Sequence, residues 1–169
     1  ACHELTILGF ELDDDAELLE ASPLPKRRIE VFGDSVSAGE VSEALDYVAK
    51  ADPEHNGEYS NNWYSYAWMT ARMLDAELHD IAQGGAALLD ETGWYHAPDY
   101  IGMETIWDKM RYNPGYGTVT KWDFSKYTPD IVIVAIGQND SHPEDYMKTD
   151  YQGEKAQNWR KHYGEFLKK

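Results

Sequence analysis

The hydrophobic pattern alternates short strand-like runs with helical stretches. Residues 130–136 are continuously apolar and β-branched, as expected of a parallel strand covered on both faces. Residues 28–33 and 77–83 have strand composition, and each run leads into glycine. Helical spacing is found in residues 62–74, with Asn61 or Asn62 as a possible N-cap, and again from about residue 153 to the end. This alternation predicts an α/β sheet with ligands at the carboxyl ends of its strands.

The first 25 residues differ from the rest. Residues 5–12 have strand composition, and they are followed by the acidic run Asp13–Asp15 and by Ser22-Pro23-Leu24-Pro25. Prolines and a charge run after a strand indicate a linker, so we place a domain boundary near residue 25. The chain opens on Ala1-Cys2 without an initiator Met, which we interpret as an internal cut point in a longer protein.

Charge limits the classes of partner. The 169 residues carry 31 acidic and 15 basic side chains, a formal charge of −16. Such a surface repels nucleic acid and anionic membranes, whereas a neutral polysaccharide is compatible with it. The simpler explanation for most of these carboxylates is solubility. Cys2 is the only cysteine, so the chain has no internal disulfide, which leaves the cellular compartment open.

Three chemically useful groups follow the three predicted strands. The first strand ends in Gly33-Asp34-Ser35, the second in Gln83-Gly84-Gly85 and the third in Gly137-Gln138-Asn139-Asp140. Parallel strands bring these ends to one rim. Ser35 can act as a nucleophile if a base removes its proton. The N–H groups of Ser35 and Gly85 and the amide of Asn139 can stabilise the oxyanion formed by attack on an ester.

Each group also has a purely structural interpretation. Ser35 can cap the next helix, Gly84-Gly85 can be a turn, and Asn139-Asp140 can be a helix cap. Taken singly, each structural interpretation is favoured. Their coincidence on one rim favours a catalytic site.

These motifs resemble those of the SGNH hydrolases, also called the GDSL family. Gly33-Asp34-Ser35 is similar to the first block of the family, Gly85 to the glycine of the second, and Gly137-Gln138-Asn139-Asp140 to the Gly-x-Asn-Asp of the third. Position 36 is Val where the family has Leu. The resemblance covers roughly residues 28–169, within a predicted SGNH domain of residues 26–169, and implies a three-layer, flavodoxin-like parallel sheet. It also implies a serine esterase with Ser35, Gly85 and Asn139 in the roles above, without cofactor or metal.

A narrower resemblance concerns residues 122–130, which are similar to the carbohydrate esterases of family two. This resemblance implies an acetyl-xylan or glucomannan esterase acting on plant cell-wall polysaccharides, secreted or on the bacterial cell surface. Members carry a β-sandwich before the SGNH domain. Residues 1–25 are accordingly expected to be the end of such a sandwich plus a linker.

The resemblance also implies a histidine base near the C-terminus, sometimes in an Asp-x-x-His pattern, and the closing segment has no such pattern. We therefore expect a domain truncated at its C-terminus, with the base in a segment outside this chain. His142 follows Asn139 by three positions on the same rim, so Asp140 and His142 are candidate substrate contacts. His142 is also the alternative base.

Two other functions stay open. The first is another SGNH esterase, acting on lipids or thioesters, although loops rich in Trp, Tyr, Asn and Gly suit sugars better than acyl chains. The second is a carbohydrate-binding fragment without catalysis. Turnover of p-nitrophenyl acetate, compared with binding to soluble polysaccharide, distinguishes the last of these from an esterase.

Overall fold

A three-stranded parallel sheet forms the centre of the molecule. The structure is a computed structural model and describes residues 6–169. Strand β1 (Arg27–Gly33) lies between β2 (Ala76–Ala82) and β5 (Ile131–Ala135), so the strand order is β2-β1-β5. Both pairings are parallel. The three predicted strands are therefore confirmed to within one residue at each end.

Helices cover the two faces of this sheet and give the three layers that were expected. On one face, Ala67 of α1 (Tyr66–Met73) is buried in one cluster with Ile29 and Val31 of β1. On the other, Phe166 at the end of α4 (Glu154–Phe166) packs edge-on against Phe32 of β1, with ring centroids 5.8 Å apart. The predicted α/β class and layered fold are confirmed.

The helix predicted over residues 62–74 is divided in two. The side chain of Asn61 caps a single 3₁₀ turn at Asn62–Tyr64, and α1 begins only after Ser65. The Ser65 hydroxyl accepts a hydrogen bond of 3.2 Å from the Trp68 N–H, which satisfies one of the free donors at the helix start. The closing helix lies where the sequence predicts it, and its Trp159 and Tyr163 pack on the core beside Phe166.

The long connection between β2 and β5 holds elements that the sequence analysis did not predict. They are helix α2 (Met103–Ile106) and the small antiparallel pair of β3 (Lys109–Arg111) with β4 (Thr120–Lys121). A further short helix, α3 (Tyr146–Thr149), precedes α4. These elements are two to four residues long, too short to show a hydrophobic period.

One expectation about strands is wrong in part, and another, that residues 1–25 end a preceding β-sandwich, stays a prediction. Residues 6–12 form no strand, and their apolar side chains are exposed, because no segment within residues 6–169 pairs with them; Leu5 lies outside the described residues. Strand β5 is not covered throughout, since Ile131 and Val132 are 40% and 52% exposed. In the described part of the chain β5 is an edge strand, so its first residues lack cover on one side.

No helix among residues 6–169 is both long and apolar enough to cross a bilayer.

Candidate active site

The parallel register brings the three strand ends to one edge of the sheet. Gly33, the last residue of β1, lies opposite Ala82 of β2 and Ala135 of β5. The loops that follow therefore start side by side, and they carry Ser35, Gly85 and Asn139. The close approach of the first loop requires glycine at position 33, because a Cβ there would lie 2.0 Å from the Ser37 hydroxyl oxygen.

Asp34 organises the turn that carries Ser35. Its side chain is 1% exposed, and Oδ1 accepts a hydrogen bond of 3.1 Å from the N–H of Val36. Ser35 itself is half-buried beside the exposed Val36. Burial raises the pKa of the Asp34 carboxyl, and the nearby Asp140 raises it further. Asp34 thus holds the backbone directly after the proposed nucleophile.

The side chain of Asn139 joins the other two loops. Its amide nitrogen donates to the carbonyl oxygen of Ala86 at 3.0 Å and to Asp34 Oδ2 at 3.4 Å. Asn139 therefore contacts the residue that precedes Ser35 and the residue that follows Gly85. The Asn139 side chain thus links the loop that carries Ser35 to the loop that carries Gly85.

The loop after β2 is held at its glycine. Gly85 has φ +78°, in the left-handed region, and its carbonyl oxygen accepts from the N–H groups of Trp94 at 2.8 Å and Tyr95 at 3.1 Å. Among the hydrogen bonds of residues 6–169, neither the Gly85 N–H nor the Ser35 N–H is a donor. Both N–H groups are thus available to an incoming ligand, as an oxyanion site requires.

Asp140 is a structural residue, and the expectation that it contacts substrate is wrong. It is 2% exposed, and its carboxylate accepts hydrogen bonds from the N–H of Leu88 at 2.8 Å and of Leu89 at 3.2 Å. A substrate cannot reach a carboxylate that is buried and occupied in this way. Burial also raises the pKa of Asp140, and the hydrogen bonds from the backbone oppose that shift. Its role is to hold the loop that carries Gly85.

His142 lies on the rim and packs on an exposed indole. Its ring stacks on Trp94 with centroids 3.5 Å apart, and Trp94 is 60% exposed. The His142 Nδ1 lies 2.7 Å from the carbonyl oxygen of Gly93, which can only accept, so Nδ1 carries the proton. The Gly93 N–H donates back to the carbonyl oxygen of His142 at 2.9 Å. Trp94 and His142 are hereafter called the rim stack.

The other described histidines contact side chains other than that of Ser35. His55 lies 2.6 Å from Glu40, His162 lies 2.8 Å from Glu104, and His79 stacks on Tyr127 with centroids 3.7 Å apart. His96 lies 3.8 Å from Asp99. Among residues 6–169, no hydrogen bond joins a histidine to Ser35; His3 lies outside the described residues.

Sequence reasoning missed several residues of the site. Asp34 appeared only as part of a motif, and Trp94 only as part of a loop. Gln83 was read only as the end of a strand, although its side chain is buried and hydrogen-bonded at the rim. A buried amide at a strand end gives no periodic signal that could reveal such a role. Within residues 6–169, no group of three or more metal-ligating side chains lies together.

Comparisons with curated proteins find relatives among polysaccharide esterases. An acetylxylan esterase / glucomannan deacetylase from Cellvibrio japonicus is 35% identical over 144 residues, 83% of this chain. The cellulase/esterase CelE of Acetivibrio thermocellus is 34% identical over 137 residues, 81% of this chain. The aligned region spans only 35% of the first relative and 15% of the second. No protein-family model matches the chain.

The solved structures that match this chain include carbohydrate esterases of family two. A family two carbohydrate esterase from Cellvibrio japonicus matches with a TM-score of 0.68 and 29% identity, over 89% of this chain and 40% of that one. A family two carbohydrate esterase from Clostridium thermocellum, in complex with cellohexaose, matches with a TM-score of 0.60 and 31% identity, over 78% of this chain and 38% of that one. The chain is thus an α/β protein that is similar in sequence and in fold to carbohydrate esterases of family two. It spans less than half the length of each of these relatives.

Proposed function

We propose that this chain carries the nucleophile and the oxyanion groups of an SGNH-type esterase that removes O-acetyl groups from plant cell-wall polysaccharides. The observation that carries the proposal is the position of the Asn139 amide, in contact with the neighbours of both Ser35 and Gly85. The similarity to an acetylxylan esterase / glucomannan deacetylase supports this substrate class.

The reaction proceeds by two acyl transfers. The Ser35 Oγ attacks the acetyl carbonyl while a histidine accepts its proton, and the carbonyl oxygen becomes negatively charged. The N–H groups of Ser35 and Gly85 and the amide of Asn139 stabilise that oxygen. The sugar hydroxyl then leaves with the proton, and water releases acetate from the acyl-enzyme by the same route. No cofactor takes part.

We propose that the base is supplied from outside these 169 residues. Within residues 6–169 no histidine is hydrogen-bonded to Ser35, and His55, His79 and His162 each contact another side chain. His142 is the alternative within the chain, because its Nδ1–H donates to Gly93 and its Nε2 is then the basic nitrogen.

The rim stack is the proposed sugar-binding surface. Sugar rings have apolar faces that pack on exposed indoles, and Trp94 is held beside Gly85 by its own N–H bond to the Gly85 carbonyl. A relative of this fold has been solved with cellohexaose bound. Since polysaccharides are too large to enter a cell, such an enzyme acts outside it, and we propose that the protein is secreted or displayed at the bacterial surface.

Chemical rescue tests the proposal on the chain itself. Imidazole added to the buffer is a diffusible base that can replace a missing histidine. We expect the hydrolysis of p-nitrophenyl acetate by the wild type to rise with imidazole concentration, relative to Ser35→Ala at the same imidazole concentration. A serine-directed phosphonate should label Ser35 under the same conditions.

Each other outcome has a definite meaning. Equal rates for the wild type and Ser35→Ala, with or without imidazole, contradict the assignment of Ser35. Strong activity without imidazole that His142→Ala abolishes makes His142 the base. Binding of soluble polysaccharide without imidazole-supported turnover favours the second candidate function, carbohydrate binding alone, which the exposed rim stack would serve.

A further inference from the structure

The buried side chain of Gln83 lies beside the proposed oxyanion site, and the mechanism above does not use it. Gln83 directly follows β2, is 5% exposed, and its backbone N–H donates to the carbonyl oxygen of Gly33 at 3.1 Å. Its amide nitrogen donates to the carbonyl oxygen of Gly84 at 2.9 Å. Its amide oxygen accepts from the hydroxyl of Tyr112, also at 2.9 Å.

These two hydrogen bonds define the orientation of the Gln83 amide. The Gly84 carbonyl can only accept, so the NH₂ group must face it. The amide oxygen then faces Tyr112, whose hydroxyl donates. Tyr112 is itself half-buried and packs against the core cluster that contains Phe32 and Met103. Gln83 is thus anchored to the core at one end and to the Gly84 carbonyl at the other.

The orientation of the Gly84 carbonyl decides where the Gly85 N–H points. The two groups belong to one planar trans peptide, in which C=O and N–H point in opposite directions. Two consecutive glycines have the largest backbone freedom of any dipeptide, so this peptide could otherwise rotate. The following peptide is already fixed, because the Gly85 carbonyl accepts from Trp94 and Tyr95. The hydrogen bond from the Gln83 side chain to the Gly84 carbonyl holds the Gly84–Gly85 peptide.

We infer that Gln83 and Tyr112 are positioning residues that lock the Gly84–Gly85 peptide, so that the Gly85 N–H is directed at the oxyanion before substrate binds. The inference rests on the proposed esterase function. Its physical basis is preorganisation: a donor that is already oriented needs no rearrangement in the transition state. In this inference both residues act through the Gly84 carbonyl and not through contact with the substrate.

The orientation of the Gly85 N–H is directly measurable in the intact chain. Amide residual dipolar couplings report the direction of each N–H bond. We expect Gln83→Met, which keeps the length of the side chain but has no donor, to shift the coupling of Gly85 while that of Trp94 stays unchanged. Tyr112→Phe keeps the aromatic packing and should produce a smaller shift in the same direction.

A matched control is Gln157→Met. The exposed Gln157 also donates to a backbone carbonyl, that of Gln152 at 2.5 Å, but it lies on α4. It should leave the Gly85 coupling unchanged. If the Gly85 coupling is unchanged in both Gln83→Met and Tyr112→Phe, the positioning role is wrong. Should Gln83→Met fail to fold, Tyr112→Phe alone decides.

Kinetics separates this inference from the proposed function. In the imidazole-supported assay, Gln83→Met should lower kcat about fivefold to fiftyfold with KM unchanged, less than the loss of a whole oxyanion donor. A shifted Gly85 coupling with wild-type kcat would leave the positioning role intact but contradict the oxyanion role of Gly85. An increase in KM alone would contradict the inference, because a misdirected oxyanion donor affects the transition state.

Discussion

The side-chain amide of Asn139 donates a hydrogen bond of 3.0 Å to the backbone carbonyl oxygen of Ala86. This bond joins the loop after β5 to the loop after β2, one residue beyond Gly85. The same amide reaches Asp34, so one side chain ties together all three loops of the rim. Asn139 therefore holds the three loops together. Both of its N–H donors are engaged in this structure, so the proposed oxyanion role requires the longer bond, to Asp34, to be exchanged for one to the substrate.

Replacing Asn139 with alanine should lower imidazole-supported turnover about a hundredfold to a thousandfold, the usual effect of losing one oxyanion donor. KM should change little, because the negative charge exists only in the transition state. Asn56→Ala is the matched control, since the exposed Asn56 accepts only a local hydrogen bond from the N–H of Glu58. Turnover equal to that of the control would contradict the oxyanion role of Asn139 and leave it only the structural role of joining the loops.

Replacing Asp140 with alanine should destabilise the fold by about 2–3 kcal/mol, because two backbone N–H groups lose a charged acceptor. Urea unfolding followed by fluorescence measures this. Asp46→Ala, at an exposed position, should stay within about 0.5 kcal/mol of the wild type. A variant of normal stability with a raised KM would restore Asp140 as a substrate contact.

The ionisation of Asp80 should lower the free energy of unfolding as the pH rises from about 4 to 6. Burial raises its pKa from 3.8 to about 6 in the folded state, while a hydrogen bond from Asn62 opposes the shift. Between these values the unfolded chain releases the Asp80 proton and the folded chain keeps it. The contribution of Asp80 to stability is therefore complete below pH 4 and lost above pH 6, by up to about 3 kcal/mol.

The substitution Asp80→Asn isolates this effect, since an amide keeps an acceptor for Asn62 and does not titrate. The difference in unfolding free energy between variant and wild type should grow in favour of the variant from pH 4 to pH 6 and then level off. Because other buried carboxyls also titrate, only this difference is diagnostic. A difference that does not vary with pH would mean that Asp80 is solvated.

Trp94→Ala should raise KM for an acetylated xylan oligosaccharide about threefold to tenfold, with little change for p-nitrophenyl acetate, which has no sugar to stack. Phe124→Ala is the control. Phe124 is 43% exposed and precedes β5, so it lies at the opposite end of the sheet from the rim. Equal effects of Trp94→Ala on both substrates would indicate a disturbed loop and contradict a sugar-binding role.

The strands could be predicted from the sequence, whereas the network around the site could not. Residues 130–136 predict β5, because a short apolar, β-branched run in an α/β protein is typical of a buried parallel strand. Ser35, Gly85 and Asn139 could be singled out because each follows such a run, and the parallel register brings the ends together. Their catalytic roles stay predictions until the variants above are measured.

The departures from prediction have physical causes. The sequence places Asp140 on the rim with His142, but it cannot show that the carboxylate is buried and accepts hydrogen bonds from the backbone. Residues 6–12 have strand composition, but a strand forms only when a partner supplies the opposite hydrogen bonds. The bond from Gln83 to Gly84 depends on a tyrosine 29 positions away, a distance that no local pattern records.

The central position of β1 has a consequence for synthesis on the ribosome. Ile29 of β1 pairs with Ile131 of β5, about a hundred residues later in the chain. At about 5–20 residues per second, roughly 5–20 seconds separate the translation of these two residues. Throughout that interval, one edge of a strand that bears Ile29, Val31 and Phe32 stays without its native neighbour. Until β5 has been synthesised, the strand that leads to Ser35 therefore lacks one of its two native hydrogen-bonding neighbours.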